Sequence, residues 1–216
     1  MTIWSTSSNI DIVPLLSKHR QSVINLLIGS FFIQEPLNAM LQFDIPHEVL
    51  TWAEYLVDTS IDQQCSFIAM DNTSIDENIV GVILNGITHR DDQEETIDVQ
   101  SEKLKFILSL LDQVIVGHNL FDFYGTDRLF RCDIINVDEH RRGQHLSTRL
   151  IAASENKARQ LGMQGIYVVC SGLFSKRAFQ RHGFQVINEI FYSQYNHERL
   201  TDMAEHDRCS LLGKRL

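Results

Sequence analysis

The sequence is poor in the features that would mark a cross-linked, metal-bound or membrane protein. It has four cysteines, Cys65, Cys132, Cys170 and Cys209, with no CxxC pair. That spacing argues against zinc ribbons and against a disulfide scaffold, so the thiols are expected to be reduced and mostly core. The nine histidines include no HExxH, and His140 and His145 lie across a turn with no partner ligands apparent, so no metal is expected. No run is apolar for long enough to span a bilayer. The opening MTIWSTSSNIDIVPLLSKHR has neither a basic leader with an apolar run nor a small-residue cleavage site, and the expectation is a cytoplasmic protein without membrane association. Positive charge is also scarce: 19 Lys and Arg against 28 Asp and Glu leave a formal charge of −9. Phosphate contacts call for a basic face, so a general nucleic-acid binder is excluded, whereas a cationic small molecule suits the balance. There is no internal repeat and no Pro/Gly/Ser-rich linker, and 216 residues suffice for one substantial core. A single domain over residues 1–216, with a core from about 10 to 195, and a monomeric state are expected.

What is present is an alternation of helix and strand. NIDIVPL reads as a short strand. Val23, Leu26, Leu27 and Phe31 fall at helical spacing, so HRQSVINLLIGSFF reads as an amphipathic helix ending near Pro36, and Val49, Trp52, Ala53, Leu56 and Val57 mark a second. CSFIAMD and IVGVILNG read as strands joined by a hairpin turn in NTSIDEN. The segment Thr88 to Ser101 is the most polar in the chain and reads as a surface loop, either solvated or a lid that attracts cations. A helix over Leu104–Leu111, the strand LFRCDIINV, the helix LSTRLIAASENKARQLG, the strand GIYVVC, a short helix to His182 and the strand FQVINEIFYSQY complete a mixed α/β layer.

Between Val137 and Leu146 lies DEHRRGQH. A strand, a tight glycine turn and a helix start present unpaired backbone N–H groups at the positive end of a helix dipole, which makes an anion cradle. Arg141 and Arg142 add positive charge where a diphosphate could lie. With Gly143 the only glycine, an ordinary strand-to-helix turn with exposed arginines is an equal reading of the turn alone.

NVDEHRRGQHLSTRL resembles the acetyl-coenzyme A loop of the GCN5-related N-acetyltransferases, whose pattern is Gln/Arg-x-x-Gly-x-Gly/Ala directly before a helix. His140 stands at the first position, Arg142 and Gly143 fit, and His145 replaces the second glycine or alanine, where a side chain could crowd the pyrophosphate. FFIQEPLNAML, IVGVILNG, FILSLLDQV and VVCSGLFSKRAFQRHGF, in that order, are similar to the invertebrate arylalkylamine branch, from about Ile10 to Tyr195. The resemblance implies a mostly antiparallel central sheet flanked by helices, acetyl-CoA as co-substrate and an amine as acceptor. It also implies that Ile135, Asn136, Val137, Arg142, Gly143, Gln144, His145, Leu146, Ser147, Ser175 and Lys176 meet the cofactor.

Acetyl transfer requires a neutral attacking nitrogen and a stabilised departing thiolate. Glu35 precedes Pro36 at a helix break, where a side chain can face a cleft. Read alone it is a surface glutamate beside a turn; the resemblance makes it the general base, acting through ordered water. Many relatives use a tyrosine four residues before the Gly-Phe pair as acid, but here that position is Phe179. The resemblance assigns thiolate departure to Ser171 and Ser175 instead. Their spacing of four can put both hydroxyls on one side of a helical turn, while capping by Ser171 and a backbone bond by Ser175 are the alternatives. Cys170 is read as packing, with no adjacent histidine to activate it. Phe31, Phe32, Phe43 and Trp52 are read mostly as core, with a wall for an aryl ring as the alternative. The expected activity is acetylation of dopamine, serotonin, tyramine, octopamine or tryptamine by direct attack in a ternary complex. A polyamine or aliphatic amine acetyltransferase and a non-catalytic acyl-CoA-binding module are the alternatives.

Overall fold

The computed structural model describes residues 9–73, 78–92 and 99–216. Among these, seven strands form one sheet in the order β1-β2-β3-β4-β5-β7-β6. They are β1 Ile10–Pro14, β2 Phe67–Asp71, β3 Asn78–His89, β4 Arg128–Val137, β5 Gly165–Cys170, β6 Gln185–Phe191 and β7 Arg208–Arg215. Every neighbouring pair is antiparallel except β4 and β5. The helices are α1 Arg20–Leu26, α2 Phe32–Gln34, α3 Pro36–Met40, α4 Leu50–Asp62, α5 Glu102–Gln113, α6 Leu120–Tyr124, α7 Leu146–Gln160, α8 Leu173–Arg181 and α9 Tyr192–Tyr195. A π-helical turn, Leu27–Phe31, joins α1 to α2 in one continuous run.

Strand side chains alternate between faces, so neighbours in sequence enter different cores. Ile68, Val82, Leu84 and Ile134 pack with Val23, Ile24 and Leu27 of the first helical run and with Ala53 and Val57 of α4. Ala69, Ile83, Ile166, Val168 and Leu212 pack with Leu146, Leu150, Ile151 and Ala158 of α7 and with Phe179 of α8. Because both faces of β3 are covered, its apolar run is continuous rather than alternating. A third core joins Ile107 and Leu110 of α5 to Tyr167, Tyr192 and Leu211.

The expected elements are present, with four differences. Strand β7 was not expected, and it lies beyond the anticipated core boundary at 195, inserted between β5 and β6. The last expected strand ends at Phe191 and turns into α9. Strand β3 runs on through Thr88 and His89, so the polar loop starts later than expected. Two helical turns, α3 and α6, fall where no helix was read. Residues 74–77 of the expected hairpin turn and 93–98 of the polar loop lie outside the described residues. No described helix is long and apolar enough to cross a membrane.

One irregularity opens the centre of the sheet. The β3–β4 register shifts between Leu84 and Asn85, leaving Asp133 as the extra residue on β4. Parallel pairing of β4 with β5 covers only Phe130–Cys132 against Ile166–Val168. Beyond it the two strands part, and the edge of β4 from Asp133 to Val137 has no β5 partner.

Candidate active site

The turn after β4 leads straight from that gap. Asp138 Oδ1 accepts from His140 N at 2.8 Å and caps a single 3-10 turn, Glu139–Arg141. Gly143 (φ +77°) and His145 (φ +59°) are left-handed, and His145 is the N-cap of α7 with no side-chain cap bond. The first-turn amides of a helix have no intrahelical acceptor, so those of Leu146 and Ser147 remain open donors at the positive end of α7. Gly143, Gln144 and His145 are exposed beside them. A diphosphate fits this arrangement of open amides. The two arginines are less available than their sequence position suggests. Arg141 forms an ion pair with buried Asp71, whose carboxyl is held below the usual range first by the Thr73 hydroxyl and amide and then by that arginine. Arg142 donates to Gln34 Oε1, and Gln34 Nε2 in turn reaches Glu139 Oε2 at 3.0 Å. Of the two, Arg142 is the more exposed, next to Gly143.

Glu35 is the N-cap of α3, with Pro36 at its first position, where a missing N–H costs nothing. Its Oε2 accepts from Asn38 N at 2.7 Å, and Asn38 Nδ2 donates to Phe32 O at 3.1 Å, which ties the cap to the end of the preceding run. Glu35 is 8% exposed and is therefore no surface glutamate. Its Oε1 completes no hydrogen bond among the described residues. Burial raises its pKa above the ordinary carboxylate value, opposed by the Ser171 hydroxyl and the backbone amides of Asn38 and Leu37. A raised carboxylate aimed at a strand-to-helix junction has the character of a proton acceptor.

At that junction Ser171 does not cap α8. The N-cap is Gly172, and Leu173 N is held instead by His206 Nδ1 at 3.1 Å. The Ser171 hydroxyl faces Glu35, and the Ser171 carbonyl accepts a short 2.5 Å bond from Tyr192 Oη. Burial pushes the Tyr192 phenol well up, reinforced by Cys209 and Glu35. Ser175 Oγ donates to Gly172 O at 2.9 Å, the backbone bond that was one of its two readings, and it also lies against the Cys170 thiol. The two serines therefore meet different partners. The Cys170 thiol is pushed up to about 12 by burial, with Ser175 and Lys176 opposing, so it is protonated and poorly nucleophilic at neutral pH. Phe179 is fully buried against Phe184, ring centroids 5.0 Å apart, and has no proton to give.

Lys176 turns to Glu189 at 2.5 Å, which also receives Ser210 Oγ at 2.8 Å and Arg208 at 3.3 Å. Its expected meeting with the cofactor would compete with that ion pair. Lys176 and Arg208 line a cavity of about 310 Å³ together with Gly172, Leu173, Glu205, His206 and Asp207. Among the aromatics, Phe32 is core, while Phe31, Phe43 and Trp52 are partly buried against the same cluster.

Tyr192, His206 and Asn38 were missed by the sequence reading. A signal existed for Asn38, since Glu-Pro-Leu-Asn is an N-cap followed by proline at the first helical position. Tyr192 and His206 reach the site through the pairing of β7 with β5 and β6, which no local pattern announces.

Comparison with known proteins agrees with this fold. The chain is similar to the crystal structure of arylalkylamine N-acetyltransferase 2 from Aedes aegypti, with 29% identity, TM-score 0.86, and coverage of 96% of this chain and 99% of that one. The fold is shared with Drosophila melanogaster polyamine N-acetyltransferase, an enzyme that catalyses formation of N-acetylagmatine (21% identity, TM-score 0.80, 96% and 100% covered). It is shared too with a mosquito arylalkylamine N-acetyltransferase like 5b (18%, 0.81, 96% and 100%). The model of the Acetyltransferase (GNAT) family matches residues 35–184, a span that begins at Glu35 and ends at Phe184, and the chain belongs to that family.

Proposed function

We propose that this protein acetylates the primary amine of arylalkylamines such as dopamine, serotonin, tyramine, octopamine and tryptamine. Family membership makes it an acetyltransferase with acetyl-CoA as co-substrate; the amine class is the further step. The observation that carries the reading is the buried, capped Glu35 carboxyl with one free oxygen facing Ser171. In this reading Glu35 takes a proton from the ammonium, directly or through ordered water. The nitrogen attacks the thioester carbon, the C–N bond forms as the C–S bond breaks, and a serine hydroxyl at the start of α8 supplies the thiolate's proton. The backbone of Ile135, Asn136 and Val137 on the free edge of β4 and the α7 amides at Leu146 and Ser147 hold the coenzyme, with Gly143, Gln144 and His145 around the diphosphate. The protonated Cys170 thiol supports direct transfer without an acyl-enzyme. The likeness at 29% identity to a mosquito arylalkylamine enzyme supports the amine class. A cytoplasmic monomer is part of the same reading.

A polyamine acceptor is the second reading, favoured by the formal charge of −9, which suits a polycationic substrate. Incubation with acetyl-CoA and an amine panel, following free thiol, separates the two. Release with tryptamine and not spermidine supports the first, the reverse supports the second, and coenzyme binding without turnover would contradict both.

A further inference from the structure

Two buried polar atoms at the helical run before Pro36 lack a hydrogen-bond partner among the described residues: Glu35 Oε1, already given a role, and Asn136 Nδ2. Asn136 is 7% exposed and so is Ser30. Ser30 Oγ donates to Asn136 Oδ1 at 3.3 Å, which orients the carboxamide and leaves Nδ2 as an open donor. Ser30 comes from the π-helical turn Leu27–Phe31, a distortion that re-aims side chains and recurs at functional sites. Along β4, Ile134 belongs to the core under α1 and α4, while Ile135 and Val137 pack against the α7 core. Alternation therefore puts the Asn136 side chain on the face from which Glu35 is delivered. A donor removed from water and left unpaired is costly, so its natural partner is an acceptor brought by a ligand.

That acceptor is assigned by its place along the helical run. Ser30 lies in the π-helical turn and Glu35 follows it by five residues, beyond α2, so the carboxamide and the carboxylate stand at separate points along the run. The thioester carbonyl must lie within bonding reach of the amine nitrogen, at the Glu35 end of that run. A hydroxyl on the aromatic ring, across the ring from the ethylamine chain, spans it. We infer that the Asn136 carboxamide, locked by Ser30, receives the ring hydroxyl of phenolic arylalkylamines and is a specificity-determining residue. The inference rests on the arylalkylamine reading above.

The test compares kcat/KM within two substrate pairs, tyramine with phenethylamine and serotonin with tryptamine, for the wild type, Asn136→Leu and Ser30→Ala. Loss of one neutral hydrogen bond lowers the hydroxylated-to-unhydroxylated ratio about 3- to 10-fold in Asn136→Leu, and in the same direction in Ser30→Ala. Equal losses within each pair would place the residue at the thioester or in the fold alone and overturn the inference, as would unchanged ratios. Should Asn136→Leu fail to fold, Asn136→Ala and Ser30→Ala carry the same comparison. A wild type that acetylates neither member of a pair refutes the arylalkylamine reading itself, whereas an active wild type with insensitive ratios refutes only the role of Asn136.

Discussion

Replacing Glu35 by glutamine should make the protein more stable at pH 8 than the wild type. The α3 cap survives the change, because a glutamine carbonyl can still accept from Asn38 N, now bonded at 2.7 Å. What is removed is a carboxylate that is 8% exposed and has one oxygen without a partner. Burial raises its folded pKa above the ordinary value of 4.5, against the opposition of Ser171 and the Asn38 and Leu37 amides. The native state thus holds this proton more tightly than the unfolded chain does. The stability this lends is fully present below pH 4.5 and is lost as pH rises through the folded pKa. Above that window the wild type carries an ionised, under-solvated carboxylate and the variant does not. Leaving one buried acceptor unpaired costs about 1–3 kcal/mol. In a chain of this size that corresponds to a Tm gain of about 2–4 °C per kcal/mol. Thermal unfolding followed by circular dichroism at fixed salt, from pH 4 to 8, should show the gap opening with pH. A variant less stable than the wild type at pH 8, or a gap independent of pH, would refute the assignment of Glu35 as a buried, destabilising carboxylate.

Ser175→Ala should lower kcat and leave the amine KM largely unaltered if, as proposed, that hydroxyl supplies the proton to the departing sulfur; a loss confined to the amine KM would contradict this. Tyr192→Phe strips the Ser171 carbonyl of its 2.5 Å partner and should cost about 1–3 kcal/mol in urea denaturation, with no loss expected if water replaces the phenol freely. His145→Gly removes a side chain from a left-handed position beside the α7 amides and should lower the KM for acetyl-CoA. An unchanged or higher value would show that the imidazole does not crowd the cradle.

Much of the layer was legible because its signals are local. Strand β5 matches GIYVVC residue for residue, and the start of α7 at Leu146 follows from a glycine turn before an amphipathic pattern. Strand β7 was not legible: RCSLLGKR contains a glycine and is charged at both ends, and its burial comes from sitting between β5 and β6 rather than from any alternation of its own. The site shows the same division. Glu35 could be suspected from the helix break at Pro36, and the turn at Gly143 from its place before a helix. The diversion of Arg141 to Asp71 and of Lys176 to Glu189 could not be seen, because Asp71 comes from distant β2 and the placing of Glu189 on β6 beside α8 depends on the pairing of β6 with β7. The capping of α8 by His206 and the support of Ser171 by Tyr192 depend on β7 and α9, elements the sequence pattern does not isolate.

The pH dependence of kcat/KM for tyramine, measured for the wild type and Glu35→Gln at saturating acetyl-CoA, tests the proton-acceptor role of Glu35 most directly. The account predicts a wild-type limb that rises with the ionisation of a carboxyl titrating above 4.5. In the variant that limb is gone and the rate is lower by about 10²- to 10⁴-fold, recovering only as pH approaches the amine's own pKa. Parallel profiles for the two proteins, or a variant of undiminished rate, would contradict it.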